Sequence, residues 1–179
     1  MARPLNDSIS LYGFHDPGGE SLMADAGIFG WLLFTEAIGC EPNDMSGKDF
    51  SQWSNQGFGI IVRINNGDTP GGTIPASSRF GDFAIRCANY VRNSVGAHIW
   101  IIGNETNHPI ERPGIRLEGD RLVSPGESIT PNLYANCYRQ CRLAIKAVPG
   151  READQVIGGG APWNPHTIYG GNPIGDWCK

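Results

Sequence analysis

Five short apolar runs that finish in amide, acidic or histidine side chains constrain this chain more than any other feature. They span residues 9–14 (ISLYGF), 30–34 (GWLLF), 58–64 (FGIIVRI), 98–102 (HIWII) and 155–158 (QVIG). A strand that is apolar throughout, without alternation, is one covered on both faces, as in parallel sheets flanked by helices. Helical stretches at 20–26, 79–94 and 132–147 separate the runs. The last is introduced by Thr130, suited to the N-cap, and Pro131, suited to the first helical position. Strand and helix alternation of this kind defines an α/β chain built from parallel βα units.

The polar residues that close the strands decide between architectures. His15 and Asp16, Glu36, Asn65 and Asn66, Asn104 and Glu105, and Trp163 and Asn164 follow successive runs. In a parallel sheet they converge on one rim, which is how the active-site face of a TIM barrel is assembled. A dinucleotide fold needs GxGxxG after the first strand, and DPGGE lacks that spacing. GxxxxGK[ST], HExxH and GxSxG are also absent from the sequence.

With 179 residues there is room for one sizeable core and not for two ordinary domains. Hydrophobic residues at 40% against 18% charged exclude a disordered chain. A net charge of −4 without any Lys/Arg block removes the electrostatic footprint of a nucleic-acid binder. No apolar run reaches the roughly 20 residues that span a bilayer, and MARPLNDSIS lacks the apolar centre of a secretory signal. The expectation is a soluble, cytoplasmic chain with neither nucleic-acid nor membrane partners. Five cysteines without a CxxC pair suit a reducing compartment. Cys137 and Cys141, four apart on a helix, read as buried apolar thiols rather than metal ligands.

The segment IWIIGNETN, residues 99–107, delivers an Asn-Glu pair to the end of the fourth strand. Strand order and dipeptide together resemble the large clan of (β/α)8 glycoside hydrolases that carry Asn-Glu at the tip of strand four. The resemblance spans about residues 9–179, and it implies a single, incomplete TIM-barrel-like domain of about five strands. It implies retaining hydrolysis of an O-glycosidic bond in a carbohydrate substrate, with Glu105 as general acid/base, Asn104 on the sugar 2-hydroxyl, and no cofactor or metal. The alternative for Asn104 and Glu105 is that they cap the loop after strand four.

The remaining rim residues are candidates for substrate binding, each beside a structural reading. Trp163 either stacks on a sugar ring, with Asn164 reading hydroxyls, or plugs the end of the barrel. Arg63 pairs with a rim carboxylate or serves the surface. His15 and Asp16 bind substrate or fix the first loop. Asn65 lies at the end of strand three, Glu36 is a spare carboxylate after strand two, and His108 is a loop anchor near Glu105.

In the resembling clan the nucleophile comes from strand seven, whereas an eight-strand barrel needs at least about 200 residues. Glu111, Glu118 and Glu127 fall on a long Pro/Gly-rich loop and Glu152 precedes the fifth strand, so none is assigned that role. Three explanations stand: a fragment of a longer enzyme, a short protein that completes its sheet with a second copy, or a smaller α/β fold. A five-strand sheet leaves open edges that favour self-association, so either a fragment or a homo-oligomer through those edges is expected. The functional alternative is a non-catalytic carbohydrate-binding or scaffolding protein.

Overall fold

The computed structural model describes residues 12–16 and 18–160. Its elements run β1 (Gly13–His15), α1 (Glu20–Asp25), β2 (Trp31–Ala37), α2 (Ser51–Ser54), β3 (Gly59–Asn65), α3 (Phe80–Arg92), β4 (Ile99–Ile102), β5 (Ile115–Glu118), β6 (Arg121–Pro125), α4 (Pro131–Lys146) and β7 (Gln155–Gly158). The five expected strands form one sheet in the order β1-β2-β3-β4-β7, and each pairing is parallel. That order follows the sequence without the reversal at which doubly wound sheets place their ligand crevice. The chain is therefore α/β with a sequentially ordered parallel sheet.

Register divides the sheet into two unlike faces. Leu32, Phe34, Ile60, Val62, Ile64, Trp100, Ile102 and Val156 share one face and are buried. They join Phe83, Cys87 and Val91 of α3 and Cys137, Cys141 and Ile145 of α4 in one core. Each such large side chain contributes about 1.5–3 kcal/mol on burial. The three thiols are unoxidised and packed among apolar neighbours, as the spacing of Cys137 and Cys141 suggested. The other face carries Leu33, Thr35, Ile61, Arg63, Ile101 and Ile157, all half-buried or exposed among the described residues. The covering of both faces implied by the apolar runs is thus complete on one face only.

Three local differences from the sequence reading have physical causes. Strand β2 continues past Phe34 to Ala37 because Thr35, Glu36 and Ala37 still pair with Arg63, Ile64 and Asn65. The Pro/Gly-rich loop contains an antiparallel hairpin, β5 with β6, turned by Gly119 and Asp120 between Glu118 and Arg121. Gly119 has φ +59, which a two-residue hairpin turn requires. The first strand begins at Gly13, and positions 9–11 of the expected run lie outside the described residues. Helix α4 starts as expected: the Thr130 side chain accepts the Leu133 N–H at 3.3 Å and Pro131 occupies the first turn.

Two polar clusters hold the fold away from the rim. Arg86 of α3, 2% exposed, donates to the Ile38 and Ser46 carbonyls and pairs with Asp44 at 3.1 Å, fastening the loop after β2 to the helix. At the N-terminal ends of β4 and β7, buried Asp154 accepts the Trp100 indole N–H at 2.7 Å and faces His98 Nδ1 at 2.6 Å. Burial pushes this carboxyl up, but the bonds from His98 and Trp100 and the nearby charges of His98 and Arg151 outweigh it and hold it below the usual range. No helix among the described residues is long and apolar enough to cross a membrane.

Replacing Asp154 by Asn removes a charge that three donors face. The expected loss is about 2 kcal/mol in denaturant unfolding at neutral pH. A carboxyl held low in the folded state stabilises above its unfolded value of about 3.9 and loses that contribution as pH falls through the folded value. The difference between wild type and Asp154→Asn therefore shrinks as pH falls below the unfolded value of about 3.9, which unfolding curves at two pH values measure.

Candidate functional site

The parallel ladder of β3 and β4 extends one residue beyond the strands, since the Gly103 N–H donates to the Ile64 carbonyl at 2.8 Å. Gly103 has φ +74, and a Cβ there would meet Ile74 Cγ2 at 2.9 Å, so both conformation and space call for glycine. Beyond it, the Asn104 backbone N–H donates to Thr73 Oγ1, and that hydroxyl donates to Asn65 Oδ1 at 3.0 Å. Thr73 is fully buried and Asn65 is 6% exposed. One hydroxyl thus joins the tips of two neighbouring strands, and both of its partners are residues singled out in the sequence.

The chain then turns at Glu105, whose φ is +41. A non-glycine residue in the left-handed region costs of order 1–3 kcal/mol and persists where its surroundings over-determine it. Here the Glu105 carbonyl accepts the His108 N–H at 2.6 Å, and a 3₁₀ turn, Pro109–Glu111, follows with His108 Nδ1 accepting the Ile110 N–H. Three bonds pin this turn to the loop after β3. Thr73 N–H donates to the Glu111 carbonyl, Thr69 Oγ1 to the Ile110 carbonyl, and Gly114 N–H to the Pro70 carbonyl.

The turn brings the Glu111 side chain back to the rim. Asn104 Nδ2 donates to Glu111 Oε1 at 3.5 Å. Burial pushes the Glu111 carboxyl above the usual range, and the negative charges of Glu105 and Asp68 add to that. The Asn104 bond and the Arg63 guanidinium oppose the shift without cancelling it. A carboxyl whose proton affinity is raised beside a second acidic side chain is the arrangement from which acid/base chemistry is built.

On the half-open face, Arg63 Nη1 lies 3.2 Å from His15 Nε2, and His15 Nδ1 lies 2.8 Å from Asp16 Oδ2. A guanidinium only donates, so Nε2 accepts and the ring proton of this pair resides on Nδ1, facing Asp16. Arg63 and Asn65 share this face, two residues apart on β3. The rim thereby gathers His15, Asp16, Arg63, Asn65, Asn104 and Glu105, with His108 on the adjoining loop.

Glu36 is placed elsewhere. It shares the helix-covered face with Phe34 and accepts from Lys48 Nζ at 2.5 Å, so the sheet separates it from Arg63. Trp163 and Asn164 lie outside the described residues. Two members of the site escaped the sequence reading. Thr73 carries no motif. Glu111 is six positions beyond Glu105, a spacing without meaning until the chain reverses at the positive φ.

Comparison with protein-family models, with curated proteins and with solved structures gives no match for this chain.

The shared hydroxyl makes a direct prediction. Thr73→Val keeps the side-chain shape but orphans the Asn104 N–H and Asn65 Oδ1, at an expected cost of about 1–3 kcal/mol. Hydrogen exchange should then accelerate at Asn104 and leave the Trp100 amide at the centre of β4 protected; equal protection of Asn104 in both proteins would remove the bridge from the account.

Proposed function

We propose that the rim at the ends of β3 and β4 is the acid/base side of a retaining glycoside hydrolase site, on a sheet that corresponds to the first strands of a (β/α)8 barrel. The observation that carries this reading is the Asn104-Glu105 pair. It stands at the tip of the fourth strand of a sequentially ordered parallel sheet, fastened by Thr73 and turned through a strained residue.

Breaking a glycosidic bond requires a proton for the departing oxygen and a carboxylate at the sugar carbon. In this proposal Glu105 gives the proton to the leaving oxygen and later takes one from water. Asn104 reads the sugar hydroxyl beside the reacting carbon. His15, Asp16, Arg63 and Asn65 bind further hydroxyls, and His108 supports the loop. Glu36 is omitted because its carboxylate serves Lys48 on the other face. The nucleophile is not assigned to a described residue.

Aryl glycosides of several sugars test the proposal. Where wild type hydrolyses one of them, Glu105→Gln is expected to lower kcat at least about 100-fold with the circular dichroism spectrum unchanged. Equal turnover by the two proteins would refute the role of Glu105. Binding of oligosaccharides without any cleavage by wild type would move the reading to a non-catalytic carbohydrate-binding protein.

A further inference from the structure

We propose that Glu111 is the positioning residue of this rim: by accepting the Asn104 amide it fixes which end of that amide is offered to a ligand, so that the site selects a hydroxyl able to donate. The identity of the ligand rests on the carbohydrate reading above, whereas the link between the two side chains does not.

An asparagine amide presents a donor on one side and an acceptor on the other, and the two orientations have nearly the same shape. What distinguishes them is the neighbour. An ionised carboxylate only accepts, so Glu111 selects the orientation in which Nδ2 points toward it, leaving Oδ1 on the far side of the amide. The 3.5 Å separation is at the long end for a hydrogen bond. Glu111 is held in place through its backbone, since its carbonyl accepts from Thr73 and its N–H donates to the His108 carbonyl at 3.0 Å. Thr73 also receives the Asn104 N–H, so both partners of the side-chain bond are anchored on one residue.

The same geometry contains a proton-dependent reversal. When Glu111 takes a proton on Oε1 it becomes a donor, and the amide must rotate half a turn to accept from it, offering NH₂ to the ligand instead. The groups that face Glu111 are Glu105 from the end of β4, Asp68 from the loop after β3 and Arg63 from β3. On its own loop, His108 has Nδ1 engaged by the Ile110 N–H. Burial and the two acidic neighbours favour the protonated form more than Arg63 and Asn104 oppose it. The reversal therefore lies above the range of a free glutamate.

The test follows the Asn104 side-chain amide by NMR in the full isotope-labelled chain between about pH 4 and 8. The expected result is an inflection above the ordinary glutamate value of about 4.3, absent in Glu111→Gln. A flat Asn104 amide in wild type, or the same inflection in Glu111→Gln, would overturn the proposal. Should Glu111→Gln not fold, Asn104→Ala removes the donor instead without adding a charge. The Glu111 carboxyl resonance must then titrate at higher pH than in wild type, and an unchanged titration overturns the proposal. Where an aryl glycoside is turned over, Glu111→Gln is expected to raise KM about tenfold. An unaltered KM counts against the positioning role. If no glycoside binds wild type, the carbohydrate reading fails while the amide titration still decides the role of Glu111.

Discussion

In a parallel sheet every strand ends on the same edge, and this constraint decides where the chemistry of the present chain can be. Side chains far apart in sequence, from His15 to Glu111, meet because β1, β2, β3, β4 and β7 lie in chain order and point one way. The helices α3 and α4 return on the face that holds Trp100, Val62 and Phe34. That arrangement leaves the C-terminal rim to the polar residues, while the opposite face carries Leu33, Ile61, Ile101 and Ile157 beside Thr35 and Arg63. An antiparallel arrangement of the same strands would distribute these residues over two edges.

The two ends of the sheet are built differently. At the N-terminal end, Asp154 is enclosed and its neighbours satisfy it: an indole N–H, an imidazole and a guanidinium converge on one carboxylate. That is a structural use of charge, with the burial cost offset by hydrogen bonds. At the C-terminal end, Glu111 is buried and faces like charge, and its proton affinity rises instead. The strain at Glu105 lies at this second end, held by the bonds of Thr73 and the loop it carries.

The α/β class was legible in the sequence because the apolar runs lack alternation and helix signals such as Thr130-Pro131 are local. The hairpin at β5 and β6 was legible too, since Leu117-Glu118-Gly119-Asp120-Arg121-Leu122 holds a Gly-Asp turn between strand-forming residues. It was passed over among the many Pro and Gly residues around it. The face of Glu36 follows from strand alternation, because it stands two positions beyond buried Phe34, but only once β2 is known to continue beyond Phe34. Glu111 was not legible. Its approach to Asn104 depends on a backbone reversal at Glu105, a residue type that gives no warning of positive φ.

The account comes down to whether sugar meets the chain at the edge where β3 and β4 end. Amide chemical shifts of the labelled protein, recorded while a mixture of β-linked disaccharides is added, test this most directly. The account predicts that Arg63, Asn65, Asn104, Glu105 and Glu111 move together while His98 and Asp154 stay still. Shifts centred on His98 and Asp154, or an unaltered spectrum at saturating sugar, would contradict it.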